Sequence, residues 1–145
     1  MENGVFTVEV LKDVNDLRML ENAFLSAVGE EMMAEEAWMR LEAAIKEAKI
    51  IFFVAKTENE AVGMCSVSPC FSTFACKPCG VFDDFFVKPE YRKQGIARKL
   101  IQAAQTWCKA NDCASLIVGC SREDVAMYQS LGFDIELGIM LANNL

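Results

Sequence analysis

An α/β chain of the α+β kind, with strands and helices interleaved in one domain, is predicted by three features of this 145-residue sequence. Short runs of strand character alternate with segments whose apolar residues recur at helical spacing. Two apolar runs, 50–55 and 61–67, flank the polar turn Thr57-Glu58-Asn59-Glu60, which makes them an antiparallel hairpin. A third run, 81–87, passes through a tight connection into a helical pattern. The length is that of one domain with one sizeable core, so 1–145 is read as a single unit.

The elements follow in order. Val5 to Leu11 places Phe6, Val8 and Val10 on one face and Thr7 and Glu9 on the other, a first strand. Asp13 or Asn15 caps a helix carrying Leu17, Leu20, Phe24, Leu25 and Val28, and Gly29 ends or bends it. A second helix from Glu31 to Ala48 sets Met33, Ala37, Trp38, Leu41, Ile45 and Ala48 on one side, a stripe for core or interface. Ile50 to Ala55 is continuously apolar, a strand buried on both faces. Phe71 to Cys79 reads as a loop rich in Cys and Phe. Ile96, Leu100, Ile101, Ala104, Trp107 and Cys108 mark the helix after the third run, Asp112 breaks it, and Ala114 to Gly119 is the next strand. Ser121, with Asp124 three residues on, starts a helix bearing Val125, Tyr128 and Leu131 that stops at Gly132. Phe133 to Leu141 alternates, with Phe133, Ile135, Leu137 and Ile139 in phase, and is expected to be a final strand.

Composition narrows the function. With 53% hydrophobic and 24% charged residues the chain is globular rather than disordered. A net charge of −7 argues against a nucleic-acid partner and suits a cationic substrate. No apolar run reaches the length of a membrane span, and Met1-Glu2-Asn3-Gly4 does not begin a signal peptide, so a cytoplasmic protein is expected. The seven cysteines are then mostly reduced. There is no histidine, so any acid or base is a carboxylate, Tyr, Cys, Lys or water.

The stretch from Val87 to Leu100 organises the rest. Pro89 stops a strand, Gly95 allows close backbone approach, and a helix begins at once. A helix N-terminus offers unpaired N–H groups and partial positive charge, which suit a phosphate. Lys88, Arg92, Lys93, Arg98 and Lys99 cluster there in an otherwise acidic chain. Arg92-Lys93-Gln94-Gly95-Ile96-Ala97 resembles the Q/R-x-x-G-x-G/A signature of the GNAT superfamily of N-acetyltransferases, with that family's Val-x-Pro-x-x-Arg approach in Val87, Pro89 and Arg92. No Gly-Lys-Ser/Thr follows, so it is not the nucleotide P-loop. Tyr128-Gln129-Ser130-Leu131-Gly132-Phe133 resembles the superfamily's Y-x-x-L-G-F ending, and the element order from Val5 onward matches its fold.

The resemblance implies a mixed, mostly antiparallel central sheet flanked by helices, and a helix pair before the hairpin that walls an acceptor pocket. It implies that the amides of Arg92, Lys93, Gln94, Gly95, Ile96, Ala97 and Arg98 hold the pyrophosphate of acetyl-CoA. It places Phe85, Phe86 and Val87 along the pantetheine arm, their N–H groups polarising the thioester carbonyl. Ser121 stands where the family often has Asn, and the Tyr128 hydroxyl serves the leaving thiolate. Phe82 to Val87 also looks like the Glu-Asp-Phe-Phe-Val of spermidine/spermine and diamine acetyltransferases, with Asp83 in place of the Glu and Asp84 matching the Asp. Neighbours in a strand point to opposite faces, so Asp83 and Asp84 are not both expected at one site; the resemblance makes Asp83 the candidate for the acceptor side, as a base acting through water, and the other reading is one solvated Asp and one paired with Lys or Arg. Cys76-Lys77-Pro78-Cys79 is a CxxC, but it precedes a strand rather than a helix and lacks histidine partners, so no metal is expected. The implied activity is direct acetyl transfer from acetyl-CoA to a primary amine of a small molecule, protein or peptide. A polyamine- or diamine-specific enzyme is the narrower alternative, and an acetyl-CoA-binding sensor or assembly module the alternative of another class. A homodimer is compatible with either.

Overall fold

The computed structural model describes residues 4–145. Its elements are β1 (Thr7–Val10), α1 (Val14–Ala27), α2 (Glu35–Lys46), β2 (Ile51–Lys56), β3 (Ala61–Ser72), β4 (Lys77–Val87), α3 (Ile96–Ala110), β5 (Leu116–Val118) and α4 (Val125–Ser130), with 3₁₀ turns at Pro89–Tyr91 and Arg122–Asp124. The five strands lie in the order β1-β2-β3-β4-β5. All neighbours pair antiparallel except β4 and β5, which run parallel because α3 crosses over between them. No helix among the described residues is long and apolar enough to cross a membrane.

The sheet carries a core on each face, and β2 serves both. Phe52 and Val54 pack with Met64, Phe86 and the α1 and α2 residues Leu17, Leu20 and Trp38. Phe53 and Ala55 pack with Cys65, Val67, Phe82 and the α3 residues Ile96, Leu100 and Ala104. That is why the run 50–55 is continuously apolar instead of alternating. Asp13 caps α1, its carboxylate accepting from Asn15 N at 2.9 Å. Gly29, at φ 75°, closes that helix as expected.

Three expectations are corrected. The second helix starts at Glu35, not Glu31, where Glu35 and Glu36 meet the positive end of the helix dipole. The stretch 71–79 is not a loop. β3 and β4 continue round a four-residue turn at 73–76, Cys70 faces Cys79, and Phe74 is fully exposed. Phe133 to Leu141 forms no strand: Ile135, Leu137, Ile139 and Leu141 are all exposed. Alternation says which face a strand would show, not whether an edge is there to pair with. Here β5 has only three residues, and Gly138 turns out of extended geometry at φ 138°.

Candidate active site

β4 builds the site by being irregular. Its parallel pairing with β5 stops at Phe82 and Val118, so residues 83–87 run along an opening between the two strands. On the other edge the β3–β4 register shifts: Ser66 faces Asp83 while Met64 faces Phe86, leaving one extra residue in β4. Asp84 takes up the bulge at φ 52°. An extra residue breaks the two-residue alternation. Phe82 and Phe85 therefore share the α3 face, their rings 5.4 Å apart, although they are three residues apart. The expected separation of Asp83 and Asp84 onto opposite faces fails for the same reason. Asp84 accepts a 2.6 Å hydrogen bond from Ser66 Oγ, and Asp83 Oδ1 accepts from the Asp84 N–H at 2.8 Å.

Both carboxylates act on a third that the sequence reading missed. Glu21 of α1 is 5% exposed, and burial, then Asp84, then Asp83, push its carboxyl up to about 7. The signal was there: Glu21 occupies the apolar stripe of Leu17, Leu20 and Phe24, where a charge is out of place. Asp84 is itself raised, by burial first, with the Ser66 hydrogen bond opposing and Asp83 adding. Because the folded-state value of Glu21 lies above its ordinary 4.5, the folded state favours the protonated form. Its contribution to stability is fully present below about 4.5 and is lost as pH rises through about 7. Glu21→Gln is expected to stabilise the protein at pH 8 by about 1–3 kcal/mol, allowing for solvent screening, with the gain shrinking toward pH 5. Denaturant midpoints at the two pH values test this.

The opposite face holds Tyr128. Its ring lies 6.1 Å from Phe85 and 5.7 Å from Phe133, edge-on to the latter. Burial, then Asp124, Cys120 and Asp83, raise the phenol to about 12, so it stays protonated near neutrality. Asp83 is thus the group whose charge reaches both Glu21 and Tyr128. Lys88 N–H bonds Val62 O at 2.9 Å, so by antiparallel alternation the Val87 N–H turns away from β3 and toward the opening. Ser121 does not cap a helix through its side chain; its hydroxyl donates to Asp124 Oδ2 at 3.0 Å.

At the end of β4 the chain reaches the N-terminus of α3. Gly95 sits there at φ 86°, with nothing within 4 Å of where a Cβ would stand. The first amide to find an intrahelical partner is that of Lys99, to Gly95 O at 3.2 Å, so the N–H groups of Ile96, Ala97 and Arg98 have none within the helix. The basic cluster divides by role. Lys88 pairs with Glu60 at 2.7 Å, and Arg92 Nε donates to Val87 O at 2.9 Å, bracing the turn. Lys93, Arg98 and Lys99 have no ion-pair partner among the described residues. Gln94 turns its amide back to Glu90 O at 3.5 Å. Free amides, free cations and empty space at the Gly95 Cβ position fit a diphosphate. The CxxC does not act as a pair: Cys76 Sγ reaches Thr73 O, whereas Cys79 Sγ lies 2.9 Å from Cys70 Sγ. A separate cavity of about 300 Å³, lined by residues including Cys108, Cys113, Leu116 and Phe133, contains none of Gly95, Glu21, Asp83 or Asp84.

Residues 14–133 match the acetyltransferase (GNAT) family. The chain belongs to the GNAT family. This GNAT chain is 27% identical over 95 residues to an aminoglycoside N(6')-acetyltransferase type 1 of Acinetobacter haemolyticus, an alignment covering 61% of the chain and 66% of that protein. Its fold is that of an aminoglycoside acetyltransferase from an uncultured soil metagenomic sample, solved in complex with sisomicin, at a TM-score of 0.84 and 19% identity over 97% of this chain and 95% of that one. It also matches a predicted acetyltransferase from Clostridium acetobutylicum solved with acetyl-CoA, at a TM-score of 0.79 and 15% identity over 96% of each. The family to which the chain belongs is one of acetyltransferases.

Proposed function

We propose that this GNAT enzyme transfers an acetyl group from acetyl-CoA directly to a primary amine of a small molecule, both substrates being bound at once. One observation carries the reading: the bulged end of β4 sets the carboxylates of Asp83 and Asp84 and the outward Val87 amide within five residues and leads into the α3 N-terminus. Acetyl-CoA would lie along that line, its diphosphate on the amides of Gly95, Ile96, Ala97 and Arg98 with Lys93 and Arg98 nearby. Its thioester would lie at the opening beside Phe85, Phe86 and Val87, where the Val87 amide polarises the carbonyl. Tyr128 would face the sulfur and protonate it as it leaves. Asp83 and Asp84 would face the amine. An alkyl ammonium, with a pKa of about 10.4, must lose a proton before it attacks. Fixing amine and thioester in one site removes much of the entropic barrier to their meeting.

A polycationic acceptor is favoured within this class. The chain carries a net charge of −7, and Glu21, Asp83 and Asp84 have no ion-pair partner among the described residues. The relatives named above for aminoglycosides act on molecules of that kind.

The test is thiol release with acetyl-CoA across a panel of diamines, polyamines, aminoglycosides, amino sugars and a lysine peptide. Turnover concentrated on small molecules with two or more amines is expected, unaffected by chelators and reducing buffer. Tight acetyl-CoA binding with no turnover on any amine would instead support a sensor.

A further inference from the structure

The acceptor side holds a carboxylate for which the fold has no structural use. Glu21 is 95% buried, and neither oxygen has a hydrogen bond or ion pair among the described residues. A buried acid left without a partner destabilises its fold. Yet its oxygens are not sealed in: Trp38 Nε1 is the one fully buried, unpartnered side-chain polar atom among the described residues. The side chain is therefore not wholly closed off, and the charges that act on it are those of the β4 bulge. These are Asp84 and Asp83, with Ser66 Oγ donating to Asp84. Of the cations on neighbouring elements, Arg40 and Lys46 of α2 are exposed, and the others have carboxylate partners of their own. Arg18, on α1, pairs with Glu35 of α2 and stacks over Trp38, and Lys56 of β2 pairs with Asp16 at 2.8 Å.

We propose that Glu21 is the base that takes the proton from the acceptor ammonium, with Asp83 and Asp84 as the anions that draw the cation to it. This rests on the amine-acetyltransferase reading above. Glu21 accepts one proton from R–NH3+, leaving a neutral carboxyl and R–NH2. The nitrogen lone pair forms the C–N bond at the acetyl carbonyl carbon. The C–S bond breaks with its electron pair on sulfur. A second nitrogen proton passes to that sulfur through the Tyr128 hydroxyl, giving the acetamide and CoA thiol, and Glu21 returns its proton to solvent. The balance is R–NH3+ plus acetyl-CoA going to the acetamide, CoA thiol and H+. A base that is half ionised near pH 7 holds a proton taken from an amine better than an ordinary carboxylate does. It follows that the acceptor is a basic amine that arrives as a cation.

The experiment compares wild type and Glu21→Gln on two acceptors, 1,4-diaminobutane and an O-alkyl hydroxylamine that is neutral at pH 7. On the diamine, kcat/KM should fall by roughly 10²- to 10⁴-fold while acetyl-CoA affinity holds. On the neutral acceptor it should change little. The acidic limb of the wild-type profile near pH 7 should vanish in Glu21→Gln and move to lower pH in Asp84→Asn, where a repelling charge is removed. Equal losses on both acceptors would reduce Glu21 to shaping the pocket and overturn the proposal. Unchanged diamine turnover by Glu21→Gln would sink it while leaving the enzyme reading intact. A wild type that binds acetyl-CoA but acetylates no amine would sink both.

Discussion

Gly95→Val is expected to weaken acetyl-CoA binding by roughly 10²- to 10³-fold while leaving a folded protein. The backbone there is left-handed, at φ 86°, and a β-branched residue held in that region costs about 1–3 kcal/mol. Relaxing the strain turns the first amides of α3 away from the ligand. Each charge-assisted hydrogen bond to a phosphate is worth about 1.5–3 kcal/mol, so losing two near the lower end of that span gives the stated range. The fold should survive because, apart from its own chain neighbours, no described protein atom lies within 4 Å of the Cβ position. Calorimetry with acetyl-CoA checks the affinity, and a thermal scan checks the fold. Unchanged affinity would move the diphosphate away from Gly95.

Tyr128→Phe is expected to lower kcat by roughly 10- to 10³-fold with little change in the KM for acetyl-CoA. The ring contacts with Phe85 and Phe133 survive the change, so what is lost is one oxygen. That oxygen has no hydrogen-bond partner among the described side chains. A CoA thiol has a pKa of about 8.5, so its thiolate leaves tolerably without a donor, which limits the loss. Since the phenol ionises only at about 12, its removal should not shift the pH profile below about 10. Wild-type kcat in the Phe variant across that range would leave Tyr128 a packing residue.

Local chemistry made much of this legible. Asp13 and Gly29 marked the two ends of α1, and the all-apolar run 50–55 announced a strand with two covered faces. The sequence 87–100 showed its turn and helix start because Pro, Gly and clustered cations each act within a few residues. Glu21 was passed over because periodicity locates a stripe without saying what faces it.

What the sequence determined by itself was the order of elements as far as α4, the two signature stretches and the placement of Gly95 at a helix start, since each depends on neighbours along the chain. The tertiary structure decided which residues meet. The extra residue at Asp84 put two aspartates near one site, because a bulge exists only relative to the strand it pairs with. The tail after Phe133 kept its alternation but formed no ladder, because pairing needs a free edge of matching length and β5 has three residues. The raised ionisation of Glu21 likewise arises from the burial of its face of α1 and from two carboxylates more than sixty positions away, a field that only the folded chain assembles.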